Sequence, residues 1–153
     1  MPPDECYLEV GTLEGRTIEA AAVGNENKRL FACDPGDKYG IQPADLPGNV
    51  MFFASPWQTV VQRGLSMPVG CIFYDGLHDA KETADFMAAV QPLLASNAIL
   101  VLDDWDRESV RRGAFGGNHS WRLLRECPEW TDGLTCPPHY FGYHFGISIW
   151  SNG

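Results

Sequence analysis

Carboxylates and one imidazole stand where short apolar runs of this sequence end: Glu9, Asp34, Asp75 with His78, and the adjacent pair Asp103 and Asp104. Acids gathered along one edge of a sheet repel each other, and each loses hydration if it is buried. A chain that needed only to pack would not place them there, so the pattern points to a site. His78 follows Asp75 by three residues, where a strand turns into the next helix. A free imidazole has a pKa of about 6.5 and can accept a proton near neutral pH. His78 and Asp75 are therefore the candidate catalytic residues, the plainer alternative being that His78 caps the helix or bonds Asp75.

The run Glu9-Val10-Gly11-Thr12-Leu13-Glu14-Gly15 reads as a turn from strand to helix with two glycines. Glycine tolerates positive φ and lets a ligand approach the backbone, while the following helix offers free N–H groups. Asp34 lies 23 residues beyond Gly11. That is close to the offset of about 20 residues at which an acid bonds a ribose hydroxyl in nucleotide-binding units. The same aspartate would also suit the start of the Asp34-Pro35-Gly36 turn.

The elements that must hold these residues alternate along the chain. Cys6–Val10, Leu30–Cys33, Val50–Ala54, Cys71–Tyr74 and Ala98–Leu102 are continuous apolar runs, the mark of parallel strands covered on both faces. Helices are predicted over Arg16–Val23, Trp57–Gln62 and Asp79–Ala95, with Phe86, Met87, Val90, Leu93 and Leu94 on one stripe and Pro92 interrupting it. Beyond Trp105, Arg107–Arg112 and Ser120–Cys127 read as two helical pieces, and Tyr140–Trp150 as two antiparallel strands. The expected fold class is α/β, a Rossmann-like doubly wound sheet in a single domain over residues 1–153. In such sheets ligands lie beyond the carboxyl ends of the strands.

Composition narrows the function. The chain has 153 residues and a net charge of −9, with Arg107, Arg111 and Arg112 its one compact basic cluster. Such a cluster more often forms a solvated helix face, so no nucleic-acid partner is expected. No apolar run approaches the roughly 18 residues of a membrane span, and the start Met-Pro-Pro-Asp-Glu does not resemble a signal peptide, so a cytoplasmic protein without membrane contact is expected. Cys6, Cys33, Cys71, Cys127 and Cys136 form no C-x-x-C pair and read as reduced, structural thiols. The aromatic residues Trp121, Trp130, Tyr140, Phe141, Tyr143, Phe145 and Trp150 read as core rather than as the wall of a planar-substrate pocket. His119, His139 and His144 lack ligand spacing.

Tyr7–Gly15 resembles the first motif of class I methyltransferases in its E-x-G-x-x-x-G form. Ile72-Phe73-Tyr74-Asp75-Gly76-Leu77-His78-Asp79, followed by Ile99-Leu100-Val101-Leu102-Asp103-Asp104-Trp105, resembles the small-molecule O-methyltransferases, including antibiotic-sugar enzymes and, more distantly, the catechol and caffeoyl-CoA enzymes. The resemblance implies a seven-stranded, mostly parallel sheet with the last strand antiparallel, and S-adenosylmethionine as cofactor. By it, Glu9, Gly11, Thr12 and Gly15 would receive the methionine part, Asp34 the ribose, and Ser55 and Trp57 the adenine, with Asp75 at the same edge. Metal-dependent members hold a divalent ion at positions occupied here by Asp75, Asp103 and Asp104. Mg²⁺ or another hard divalent cation would suit such oxygen ligands, the alternative being that Asp103 or Asp104 caps the next helix and Asp75 orders its turn. Catechol-type relatives carry a lysine base at the offset of His78.

Two departures stand out. Ser96-Asn97 replaces the usual Gly-Gly pair before the fifth strand, and only five residues precede Cys6, where relatives build a lid. A lidless pocket is expected to be completed by a second copy in a homodimer, or to bind its substrate openly. The expected activity is transfer of a methyl group to a hydroxyl of a small-molecule acceptor. The rivals are a non-catalytic binding protein of this fold and a nicotinamide-linked oxidoreductase, whose G-x-G-x-x-G fingerprint fails at its second glycine.

Overall fold

The computed structural model describes residues 2–36, 45–127 and 146–153. Seven strands form one sheet: β1 (Cys6–Val10), β2 (Leu30–Asp34), β3 (Val50–Ala54), β4 (Val69–Tyr74), β5 (Leu94–Leu102), β6 (Arg122–Cys127) and β7 (Ile147–Ser151). Their order is β3-β2-β1-β4-β5-β7-β6. The first five pair in parallel, and β7 runs antiparallel to both β5 and β6. The sheet is therefore Rossmann-like and mostly parallel, with its antiparallel strand last in the chain. Its order reverses between β1 and β4, which opens a crevice at their carboxyl ends.

Helices cover both faces because the central strands are apolar throughout. On one face α1 (Arg16–Ala22) sets Ile18 and Ala22 against Leu30 and Ala32. On the other, α2 (Trp57–Arg63), α3 (Ala80–Ala89) and α4 (Glu108–Gly116) bury Trp57, Val60, Phe86, Met87, Val110 and Ala114 over Leu8, Ile72, Leu100 and Leu102. Phe86 stacks on Tyr74 at 4.3 Å and meets Trp57 edge-on at 5.3 Å. At Gly113 an added Cβ would come within 2.3 Å of the Ala80 carbonyl oxygen, so α4 lies directly on the first turn of α3. That contact fixes the loops after β4 and β5 relative to each other.

Several elements differ from the expectation. The helix predicted over Asp79–Ala95 ends at Ala89; Pro92 sits in the short 3₁₀ turn Gln91–Leu93, and β5 already begins at Leu94. Ser96-Asn97 lies within β5, in the interval where the β4–β5 register shifts from Val69–Leu94 to Cys71–Ile99. The segment expected to be helical, Ser120–Cys127, is instead strand β6 over Arg122–Cys127. Its leucines, arginines and glutamate favour a helix by local propensity. Pairing with β7 overrides that, helped by Trp121, which is buried and donates its indole N–H to the Met87 carbonyl at 3.0 Å. Of the predicted tail hairpin, β7 is seen; Tyr140, Phe141, Tyr143 and Phe145, like Trp130, Cys136, His139 and His144, lie outside the described residues. Trp150 is core, packed edge-on against Trp105 and Phe115. Cys6, Cys33, Cys71 and Cys127 are free thiols. Burial pushes Cys6 up to about 11 and Cys33 up to about 12, which suits inert packing.

Candidate active site

The turn after β1 is built on its own chain. Gly11 has φ 85°, and a Cβ there would lie 1.7 Å from the Asp75 carbonyl oxygen. The close approach that glycine permits is thus between two strand ends. Backbone hydrogen bonds stitch those ends together: Gly11 N–H to Cys33 O at 2.9 Å, Asp75 N–H to Val10 O at 2.9 Å, and Asp103 N–H to Tyr74 O at 3.0 Å. Leu13 is held at φ 47°, in the left-handed region that a leucine rarely enters. Its N–H donates to Asp34 Oδ2 at 3.0 Å, while Asp34 Oδ1 accepts from Gly36 N–H at 2.9 Å. Asp34 therefore joins the first turn to the loop after β2, and its oxygens keep lone pairs for a ligand. Thr12 is buried, with its hydroxyl 3.5 Å from Cys33 O, and Gly15 starts α1 in the left-handed conformation.

Glu9 lies beneath this turn and is wholly buried. It accepts hydrogen bonds from the hydroxyls of Tyr7 at 3.3 Å and Thr17 at 3.2 Å. Burial pushes its carboxyl up to about 7, against the opposing pull of hydrogen bonds from Thr17, Tyr7 and Thr12 and with a further push from the charge of Asp75. It braces the turn from below. Ser55 is half-buried at the end of β3. Trp57, expected beside an adenine, is turned into the core, where its indole N–H binds Glu82 and its ring meets Phe86. A large ring gains more from that burial than from an exposed edge.

The loops after β4 and β5 bring Asp75, His78 and Asp104 together. His78 Nε2 contacts the Asp104 carboxylate and lies 3.5 Å from Asp75 Oδ1. One ligand atom from each of the three lies within 4.8 Å of the others. Asp103, expected in this group, instead accepts the Asp104 N–H at 2.9 Å. Asp104 itself stands at φ 51°, in the left-handed region. Asp103 is pushed up to about 6, chiefly by burial and also by the acids Asp75 and Asp104, against the pull of the Asp104 N–H and His78. Asp75 is also raised by burial and by Asp104, while His78 and Arg107 oppose the rise.

The helix-cap alternatives fail. Asp79 caps α3, accepting from Lys81 N–H at 2.9 Å and Glu82 N–H at 3.1 Å. The N-cap of α4 is Arg107, and no side chain caps it. Arg107 itself was missed by sequence reasoning, which assigned it to a solvated helix face. Its Nε donates to Asp104 Oδ1 at 3.1 Å, and it supplies a counter-charge that the acids require. The i, i+3 spacing from Asp104 was the available signal. Ser109 Oγ donates to the His78 carbonyl at 2.7 Å and ties the two loops together.

A family model described as a methyltransferase domain matches residues 8–105, which span β1 through the loop carrying Asp103 and Asp104. No curated protein sequence matches. Among solved structures, an O-methyltransferase from Bacillus cereus in complex with SAH superposes with a TM-score of 0.70 at 16% identity, covering 97% of this chain and 74% of that one. The antibiotic-resistance methyltransferase Kmr superposes with a TM-score of 0.60 at 15% identity, covering 96% and 86%. A mutant 16S rRNA (adenine(1408)-N(1))-methyltransferase from Catenulisporales acidiphilia gives 0.59 at 13% identity, covering 97% and 87%. At such identities these likenesses show the fold.

Proposed function

The chain belongs to the methyltransferase-domain family, of the class I Rossmann-like kind, and from that premise we propose that it moves the methyl group of S-adenosylmethionine to a hydroxyl oxygen of a small molecule. The observation that carries this reading is the convergence of Asp75, His78 and Asp104 one strand away from the Gly11 turn. The cofactor would lie along the edge from Gly11 to Asp34, its ribose hydroxyls on Asp34, with Ser55 farther out. Glu9 and Thr12 hold the turn from below. The net charge of −9 and the acidic edge favour a small acceptor over an RNA.

The reaction is an in-line displacement. The acceptor oxygen attacks the methyl carbon, the carbon–sulfur bond breaks, and sulfur keeps the electron pair, leaving S-adenosylhomocysteine. The chain's task is to align the acceptor oxygen, the methyl carbon and the sulfur, and to remove the hydroxyl proton. In the tautomer that carries the proton on Nε2, toward Asp104 and Asp75, Nδ1 of His78 would be the proton acceptor. The carboxylates then stabilise the imidazolium that forms.

The donor set also fits a divalent cation, with Asp75 and Asp104 as oxygen ligands and His78 in reach of the same point. Bound there, Mg²⁺ would supply Lewis-acid polarisation of the acceptor hydroxyl and lower its pKa. Sensitivity of turnover to a chelator, restored by Mg²⁺ or Mn²⁺, tests this part by itself.

S-adenosylhomocysteine is expected to raise the melting temperature with concentration, and Asp34→Ala to weaken its binding about 10-fold or more. His78→Gln is expected to lower kcat by about 10²–10⁴-fold while cofactor affinity stays nearly constant. If S-adenosylhomocysteine leaves the melt unchanged and a nicotinamide dinucleotide shifts it, the cofactor assignment is wrong. If the cofactor binds and no methyl transfer is found with any hydroxyl acceptor, a non-catalytic binding protein is the better reading.

A further inference from the structure

Arg107 has a placement that neutralising Asp104 does not account for. Asp104 turns the chain with φ 51°, and Arg107 N–H closes that turn on the Asp104 carbonyl at 2.9 Å. The side chain folds back, and among the described residues its one hydrogen bond runs from Nε to Asp104 Oδ1 at 3.1 Å. Its two terminal amino groups have no partner among the described residues, and the side chain is 49% exposed. An arginine serving only as counter-ion gains more by pairing two nitrogens with both carboxylate oxygens. Here Asp104's other oxygen faces His78, so the open end of the guanidinium fork is left at the rim of the cluster.

The backbone that follows Arg107 is tied to the His78 loop. Ser109 Oγ holds the His78 carbonyl at 2.7 Å, and the close contact of Gly113 with Ala80 locks α4 onto α3. Leu77, the sequence neighbour of His78, is 71% exposed. A planar cation thus stands one carboxylate away from the imidazole of His78, both on Asp104.

Resting on the methyl-transfer reading above, we infer that Arg107 recognises the acceptor, and that the acceptor carries a carboxylate together with the hydroxyl it presents to His78. The two free amino groups of the guanidinium match the spacing of two carboxylate oxygens. The acids of the site would otherwise repel such a substrate, so Arg107 decides whether an anion can enter at all.

The test uses matched pairs of hydroxybenzoates and hydroxycinnamates as free acids and as their methyl esters, with release of S-adenosylhomocysteine as readout. The wild type is expected to favour each acid over its ester by on the order of 10- to 100-fold in kcat/KM, mostly through KM. Arg107→Gln should bring that ratio to near unity, and Arg107→Lys should restore part of it as a point charge. S-adenosylhomocysteine affinity should be the same in all three. An arginine that only holds Asp104 in place would lower acids and esters together and leave their ratio intact, and that result overturns the inference. So does a wild type that is indifferent to the charge, or that methylates none of the acids while still binding S-adenosylhomocysteine. Failure to bind S-adenosylhomocysteine at all would instead count against the methyl-transfer reading.

Discussion

The β1–β2 half and the β4–β5 half of the sheet end in acids alike, yet the two sets are held by different means. Glu9 is sealed under a turn and Asp34 accepts two backbone N–H groups. Asp75 and Asp104 are met by side chains that carry or can carry charge, His78 and Arg107. Backbone donors cannot leave without unfolding the turn, so the first half is organised before any ligand arrives. Side-chain partners can exchange for a substrate or an ion at little structural cost. On the proposed reading, binding would belong to the first arrangement and proton transfer to the second.

Gly11 is where the two halves touch, and its replacement should have the largest effect. Gly11→Ala would set a Cβ 1.7 Å from the Asp75 carbonyl oxygen at a φ of +85°. A loss of at least about 3 kcal/mol in urea denaturation is expected, or failure to recover folded protein, because backbone must move on both sides. A variant as stable as the wild type would show that the strand ends are not in contact.

Glu9 sharpens the comparison from the side of the first half. Its carboxyl is raised from 4.5 to about 7, chiefly by burial. Between those values the folded chain holds a proton that the unfolded chain has lost. The stability this contributes is therefore complete below about pH 4.5 and is lost as pH rises through about 7. Glu9→Gln stays neutral at every pH. It should match the wild type near pH 4.5 and exceed it at pH 8 by on the order of 1–3 kcal/mol. Asp75 and Asp103 are raised in the same direction and keep their share of the slope in both proteins. Parallel stability curves for the two proteins across this range would mean that Glu9 is ionised in its pocket.

Asp79 gives the smallest effect, on the second half. It caps α3 through Lys81 and Glu82 N–H and stands next to His78. Asp79→Ala should cost about 1 kcal/mol, the usual value of a lost N-cap. It should lower kcat more than it weakens cofactor binding, since the frayed turn carries the proposed base, His78, and not the proposed ribose partner, Asp34. Equal losses in both would show that the two halves are not mechanically separate.

Much of this was legible in the residues. The strands ending at Val10, Asp34, Ala54, Tyr74 and Leu102 centre on apolar runs, and acids stand at or next to four of those ends: Glu9, Asp34, Asp75 and Asp103. Burial on both faces leaves that mark whatever the partner strand is, because it depends only on each residue's own surroundings. The parallel order and the glycine turn followed from the same local signals. Strand β6 did not, since Arg122–Cys127 becomes a strand only by pairing with Ile147–Ser151, far along the chain.

At the site the line falls in the same way. The sequence by itself determined that Glu9, Asp34, Asp75, His78, Asp103 and Asp104 would gather at one edge, because parallel strands all point their carboxyl ends the same way. Only the tertiary structure decided which of them face one another. Asp103 accepts the Asp104 N–H, while His78 joins Asp75 and Asp104, the last at a left-handed φ. Packing against Phe86 and a bond to Glu82 turned Trp57 inward, and the fold-back of Arg107 onto Asp104 supplied the cation. Side-chain direction at a strand end depends on one or two backbone angles and on what else fills the space, and neither is written in the spacing of residue types.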